Sequence, residues 1–182
     1  SEFLGGEGDG SVAVSPDFTL NDYQVEPGAT DEMESSLTEG TDTTETFTIQ
    51  ADQGQLVSSV TFTLTWQDEP DERILLQMGE NQPDEFKLTV TYNNISKSGS
   101  GVNARGSQTA GGTGSITITM DFTHESAEST NGTGTYTVLI EIVEAGDITP
   151  RFAGPLGQAD NGNTYALNYE TELYTPKEAE EG

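Results

Sequence analysis

The chain contains no cysteine, so disulfides and thiolate chemistry are excluded together. It has one histidine, His124, too few for a zinc site built on histidines. Positive charge is nearly as scarce: six Lys plus Arg stand against 32 Asp plus Glu, a formal net charge of −26. Such a surface repels a phosphate backbone, which excludes nucleic acid as a partner. It also repels an anionic bilayer, so a membrane is reached only through an anchor outside this sequence. No apolar run is long enough for a signal-peptide core or a membrane span.

Catalytic patterns are equally sparse. No nucleophile elbow, P-loop or dinucleotide fingerprint is present. His124 is followed by Glu125 and Ser126 in a polar stretch and reads as a solvent-exposed loop residue, not a base. With 32 acids, any pair of carboxylates could be nominated for glycosidase work, so none is singled out. The chain therefore reads as non-enzymatic.

What the sequence does have is alternation. Val60, Phe62, Leu64 and Trp66 interleave with Thr61, Thr63 and Thr65, the period-two signature of a half-buried strand. The same pattern recurs at Phe47 to Ala51, Phe86 to Tyr92, Ile116 to Phe122, Tyr136 to Ile142 and Tyr165 to Leu173. Weaker strands are expected at Val12–Val14 and near Ile74–Gln77. Glu26–Glu45 reads mostly as loop, with room for one helical turn over Glu32–Leu37. Asn93–Gly114, rich in Gly, Ser and Asn, reads as a mobile loop. Sheets with one apolar face must cover it, so the expected fold is all-β: an antiparallel two-sheet β-sandwich, jelly-roll-like or Greek-key.

The expected organisation is a single domain over residues 12–175. Residues 1–11 read as a tag remnant (Ser1, Glu2, Phe3) and a Gly-rich lead-in, and residues 176–182 as an acidic linker stub. A domain of this length buries roughly 70% of its unfolded surface, so it needs no covalent staples.

Two kinds of site are suggested by residue type. Calcium takes six to eight oxygen ligands from loops. Asp68, Glu69, Asp71 and Glu72, after the strand ending at Trp66, are the candidates, joined by Asp84 or by Asp160, Asn161 and Asn163. A solvated acidic loop is the competing reading. Asn94-Ile95-Ser96 and Asn131-Gly132-Thr133 match the N-glycosylation sequon and fall in expected surface loops. Trp66, Tyr92, Tyr136, Tyr165 and Tyr169 sit on the apolar faces of their strands, so core packing is expected over a carbohydrate-stacking face.

The strand ending Leu64-Thr65-Trp66, its acidic loop and the strand opening at Pro83-Asp84-Glu85-Phe86-Lys87-Leu88 together resemble extracellular jelly-roll modules of the pre-peptidase C-terminal and P-type kind. Gly134-Thr135-Tyr136-Thr137-Val138 resembles their late strand. The family's Asp-Leu-Asp-Leu pattern is replaced here by Asp-Glu-Phe-Lys-Leu. The resemblance implies a non-catalytic secreted module, stabilised by calcium in that family. The sequence reading as a whole is an extracellular surface module with a structural or adhesive role, the ectodomain of an anchored protein, meeting a protein or cell-envelope partner. A ligand-binding module for calcium or carbohydrate is the alternative. The acidic, Lys-poor surface points to a halophilic source.

Overall fold

The computed structural model describes residues 18–68, 73–74, 77–81, 83–104, 111–144, 148–150 and 162–178. The expected strand at Val12–Val14 lies outside these residues. Among the described residues, eleven strands follow a 3₁₀ turn at Leu20–Asp22. They are β1 (Tyr23–Thr38), β2 (Asp42–Ile49), β3 (Leu56–Gln67), β4 (Arg73–Ile74), β5 (Gln77–Asn81) and β6 (Glu85–Tyr92). The remainder are β7 (Ile95–Val102), β8 (Thr113–Asp121), β9 (Gly134–Glu144), β10 (Ile148–Pro150) and β11 (Gly162–Pro176).

Two four-stranded sheets, β1-β11-β3-β8 and β2-β9-β6-β7, pack face to face, and β10-β5-β4 form a small third sheet. Every pairing among the described residues is antiparallel. Among the eight long strands the first pairs with the eighth, the second with the seventh, the third with the sixth and the fourth with the fifth. That is a long antiparallel ribbon wrapped into two sheets, the jelly-roll arrangement.

The alternation in sequence becomes the sandwich's two faces. Val60, Phe62, Leu64 and Trp66 of β3 point inward, as do Phe86, Leu88, Val90 and Tyr92 of β6 and Tyr136, Val138, Ile140 and Ile142 of β9, all buried. Each such side chain contributes about 1.5–3 kcal/mol by leaving water. Rings fill the middle: Phe62 lies 5.7 Å from Tyr136, which stacks on Tyr92 at 4.6 Å, and Trp66 lies 4.5 Å from Phe86. Outward, Thr61 pairs with Thr119, Thr89 with Ser98 and Thr91 with Ser96, each through a hydroxyl–hydroxyl bond.

Two expected loops are strands. The segment read as loop with a helical turn is β1, which pairs with β11 from Tyr23 to Thr38, and its successor β2. After a bulge between Pro27 and Thr30, its inward positions are Asp31, Met33, Ser35 and Leu37, only half of them apolar. The stretch read as a mobile loop contains β7, in unbroken register with β6 from Ile95 to Val102. Its inward positions include Gly99 and Gly101, where an added Cβ would press on Ile116 at 3.2 Å. Close approach of β7 to β8 thus removes the side chains that an alternation would need.

Candidate functional site

Of the acidic candidates, the structure places two in the interior. Asp68 and Asp84 are buried, where a solvated loop was expected for the first. The β6–β7 ladder pairs Glu85 with Val102, and this register sets Asn103 beside Asp84. Asn103 is then the hub. Its Nδ2 donates to Asp68 Oδ2 at 3.1 Å and to the Ala104 carbonyl at 2.8 Å. Its Oδ1 accepts from the Asp84 backbone N–H at 2.7 Å and from Trp66 Nε1 at 3.3 Å. Asn163 Nδ2 donates to Asp84 Oδ2 at 2.5 Å, so β11 joins the same knot. The Asp68 N–H donates to the Gly112 carbonyl at 2.8 Å.

Burying two carboxylates is costly unless donors meet them, and here amides do. Asn103 has spent both amide hydrogens and both acceptor lone pairs, so it has nothing left for a cation. Among the described residues no group of three His, Cys, Asp or Glu is placed to hold a metal ion. Glu69, Asp71, Glu72 and Asp160 lie outside the described residues. Asn163 was legible in sequence as an oxygen donor near the last strand. Asn103 was not, because a lone asparagine has no pattern.

At the opposite end, His124 is buried, contrary to the expectation of a solvated residue. Its ring lies edge-on to Tyr174. Nε2 meets the Val57 carbonyl at 2.6 Å and Nδ1 meets Ser129 Oγ at 2.7 Å. A carbonyl can only accept, so Nε2 carries a hydrogen, and in the neutral ring Nδ1 then accepts from the serine hydroxyl. Nε2, the nitrogen that takes the nucleophile's proton in a triad, is bound here to a backbone carbonyl, and the ring fastens the 124–133 loop to β3.

The five aromatics named above are all buried, as expected from their strand positions. Burial pushes the hydroxyls of Tyr136, Tyr165 and Tyr169 above the usual tyrosine range, helped at Tyr165 and Tyr169 by the negative charges of Glu45 and Asp31 and at Tyr136 by repulsion from the neighbouring Tyr92 hydroxyl when both ionise. Ser35 offsets part of the shift at Tyr165 without completing hydrogen-bond geometry, and the Tyr165 hydroxyl has no hydrogen-bond partner among the described residues. On the outer face of the first sheet a shallow trough of about 510 Å³ is lined by Glu34, Thr65, Gln67, Thr113, Ser115 and Thr164. It presents hydroxyls, the Gln67 amide and one carboxylate, while the rings of Trp66 and Tyr165 beneath it face the core. A sugar would find no stacking platform there.

The lateral sides of the sandwich differ more than its ends. On one side β7 closes on β8, and Lys97 Nζ donates to the Thr119 carbonyl of the β8 edge at 2.8 Å. On the other, β1 is the terminal strand of its sheet over Tyr23–Thr38 and β2 is the terminal strand of the other. Pro27 and the bulge blunt the first part of β1. Thr30–Thr38 is regular and carries exposed Asp31, Glu32 and Glu34.

Among known proteins, the chain matches no family model and no curated protein.

Proposed function

We propose that the chain is a non-catalytic extracellular surface module with a structural or adhesive role, the ectodomain of an anchored protein, and that it works through its β1 edge. The observation that carries this reading is the asymmetry of the two lateral sides: on one the edge strands β7 and β8 lie close together and Lys97 caps the Thr119 carbonyl, and on the other the regular edge strand β1 has no neighbour on its outer side among the described residues. An unpaired edge is a template for an added strand, whose backbone bonds supply affinity. Asp31, Glu32 and Glu34, with Glu45 pointing inward from β2, set the specificity. Two copies carrying −26 each repel, so the edge excludes its own kind and admits an extended segment bearing Lys or Arg. The Thr- and acid-rich surface and the resemblance to secreted jelly-roll modules support the extracellular placement and a salt-rich surrounding.

Beads coated with the chain test the reading against envelope fractions of the cells that make it. Adhesion should fall at least tenfold when Asp31, Glu32 and Glu34 are all replaced by Lys. Adhesion untouched by that charge reversal would contradict it.

A calcium-binding module is the second reading, favoured by the burial of Asp68 and Asp84 at one end and by the acidic 69–72 stretch that follows Asp68 in sequence. Calorimetric titration of Ca²⁺ into chelator-treated protein, with a melt in parallel, decides it. No heat and no shift in Tm would remove this reading.

A further inference from the structure

The two sequons share one end of the sandwich but not one environment. Asn93 and Asn94 form the two-residue loop closed by the Tyr92–Ile95 pair, with Asn93 in the left-handed region at φ 52°. Asn94 is exposed and, among the described residues, its amide has no hydrogen-bond partner. Ile95, the middle residue of the sequon, is 49% exposed, one of four large apolar side chains left on the described surface. Ser96 is exposed too, its hydroxyl shared with Thr91 at the surface.

The second sequon is knotted into the loop that plugs this end. Asn131 Nδ2 donates to the Thr123 carbonyl at 2.8 Å, and its backbone N–H reaches Ser129 Oγ at 3.3 Å. The Thr133 hydroxyl donates to the Thr130 carbonyl at 2.7 Å. Between them Gly132 is buried against Val57 and Phe122. Its N–H donates to the Tyr92 hydroxyl at 2.9 Å and its carbonyl accepts from Tyr136 at 2.6 Å. Lifting Asn131 into an enzyme's cleft would break the amide, the hydroxyl and both tyrosine bonds at once.

We propose that Asn94 is an N-glycan acceptor of the folded chain and that Asn131 is not. This rests on the extracellular reading. The donor is a glycan linked to a polyprenyl phosphate or diphosphate. Asn94 Nδ2 attacks its anomeric carbon, the N–C bond forms and the C–O bond to phosphate breaks. The lipid phosphate departs with the electron pair, and the amide nitrogen gives up one proton. Asn94 can enter the transferase without disturbing the sandwich, and the attached sugar then covers Ile95.

The test incubates the purified, folded chain with membranes bearing an oligosaccharyltransferase and a lipid-linked oligosaccharide, read by intact mass and glycopeptide sequencing. One glycan is expected, lost in N94Q and in Ser96→Ala, and kept in Ser96→Thr and N131Q. Circular dichroism of each variant confirms that it is folded. A glycan that survives N94Q overturns the proposal. So does an unmodified wild-type chain when a free sequon peptide is modified in the same reaction. Chain isolated from its own cells gives a separate answer: bare protein there, with transfer to Asn94 in vitro, contradicts the extracellular reading and leaves the acceptor assignment standing.

Discussion

Replacing Asn103 with alanine removes four side-chain hydrogen bonds at one buried point: to Asp68, to Ala104, from the Asp84 N–H and from Trp66 Nε1. Two donors, the Asp84 N–H and the Trp66 indole, lose their acceptor inside the protein, at about 1–3 kcal/mol each. Loss of the bond to the Asp68 carboxylate adds about 1.5–3 kcal/mol. Water entering the gap returns part of this, so the expected loss is about 4 kcal/mol. Against a total stability of about 5–15 kcal/mol this is severe. At about 2–4 °C per kcal/mol for a chain of this size, Tm should fall by roughly 8–16 °C. Denaturant titration monitored by Trp66 emission measures it. N103D keeps one acceptor but sets a new carboxylate against Asp68, so it should be worse than N103A at neutral pH and lose that disadvantage in acid. A loss under about 1 kcal/mol for N103A would refute the argument, since the knot would then be solvated and Asn103 dispensable.

Stability should also fall at high pH. Burial raises the Tyr136 hydroxyl above its unfolded value near 10, so above pH 10 the unfolded chain sheds a proton that the folded chain keeps. The contribution is complete below pH 10 and is lost as pH rises, at up to about 1.4 kcal/mol per unit, and denaturation of wild type and Y136F at pH 9 to 11 should show a shallower slope in the variant. Gly114→Ala would drive a methyl into the Trp66 indole, costing about 1–3 kcal/mol and shifting the emission of the only tryptophan. Raising salt from 0.1 to 1 M shortens the screening length from about 10 to 3 Å, so a chain carrying −26 should melt higher. A Tm that does not rise would count against salt adaptation.

The strands legible in sequence are those whose inward positions are mostly large and apolar, as in β3, β6, β8, β9 and β11. Alternation fails where the environment is not symmetric. The inward face of β1 meets only the rim of the core, so Asp31 and Ser35 are tolerated between Met33 and Leu37. The inward face of β7 has no room, so glycine stands where Val or Ile would have announced a strand. His124 misled for a related reason. Its neighbours in sequence are polar, but the ring is held by Val57, which is 67 residues away. Of the buried polar knot, the acids could be named from residue type, whereas Asn103 is chosen by the register of β6 against β7 and by nothing local.

Hydrogen exchange followed by mass spectrometry, with and without an envelope fraction of the cells that make the chain, tests the β1 edge most directly. The account predicts slowed exchange confined to the amides of Thr30–Thr38, reversed by salt as the acidic side chains are screened. Protection that appears instead at the Asp68–Asn103 end, or over the β7–β8 side, would contradict it.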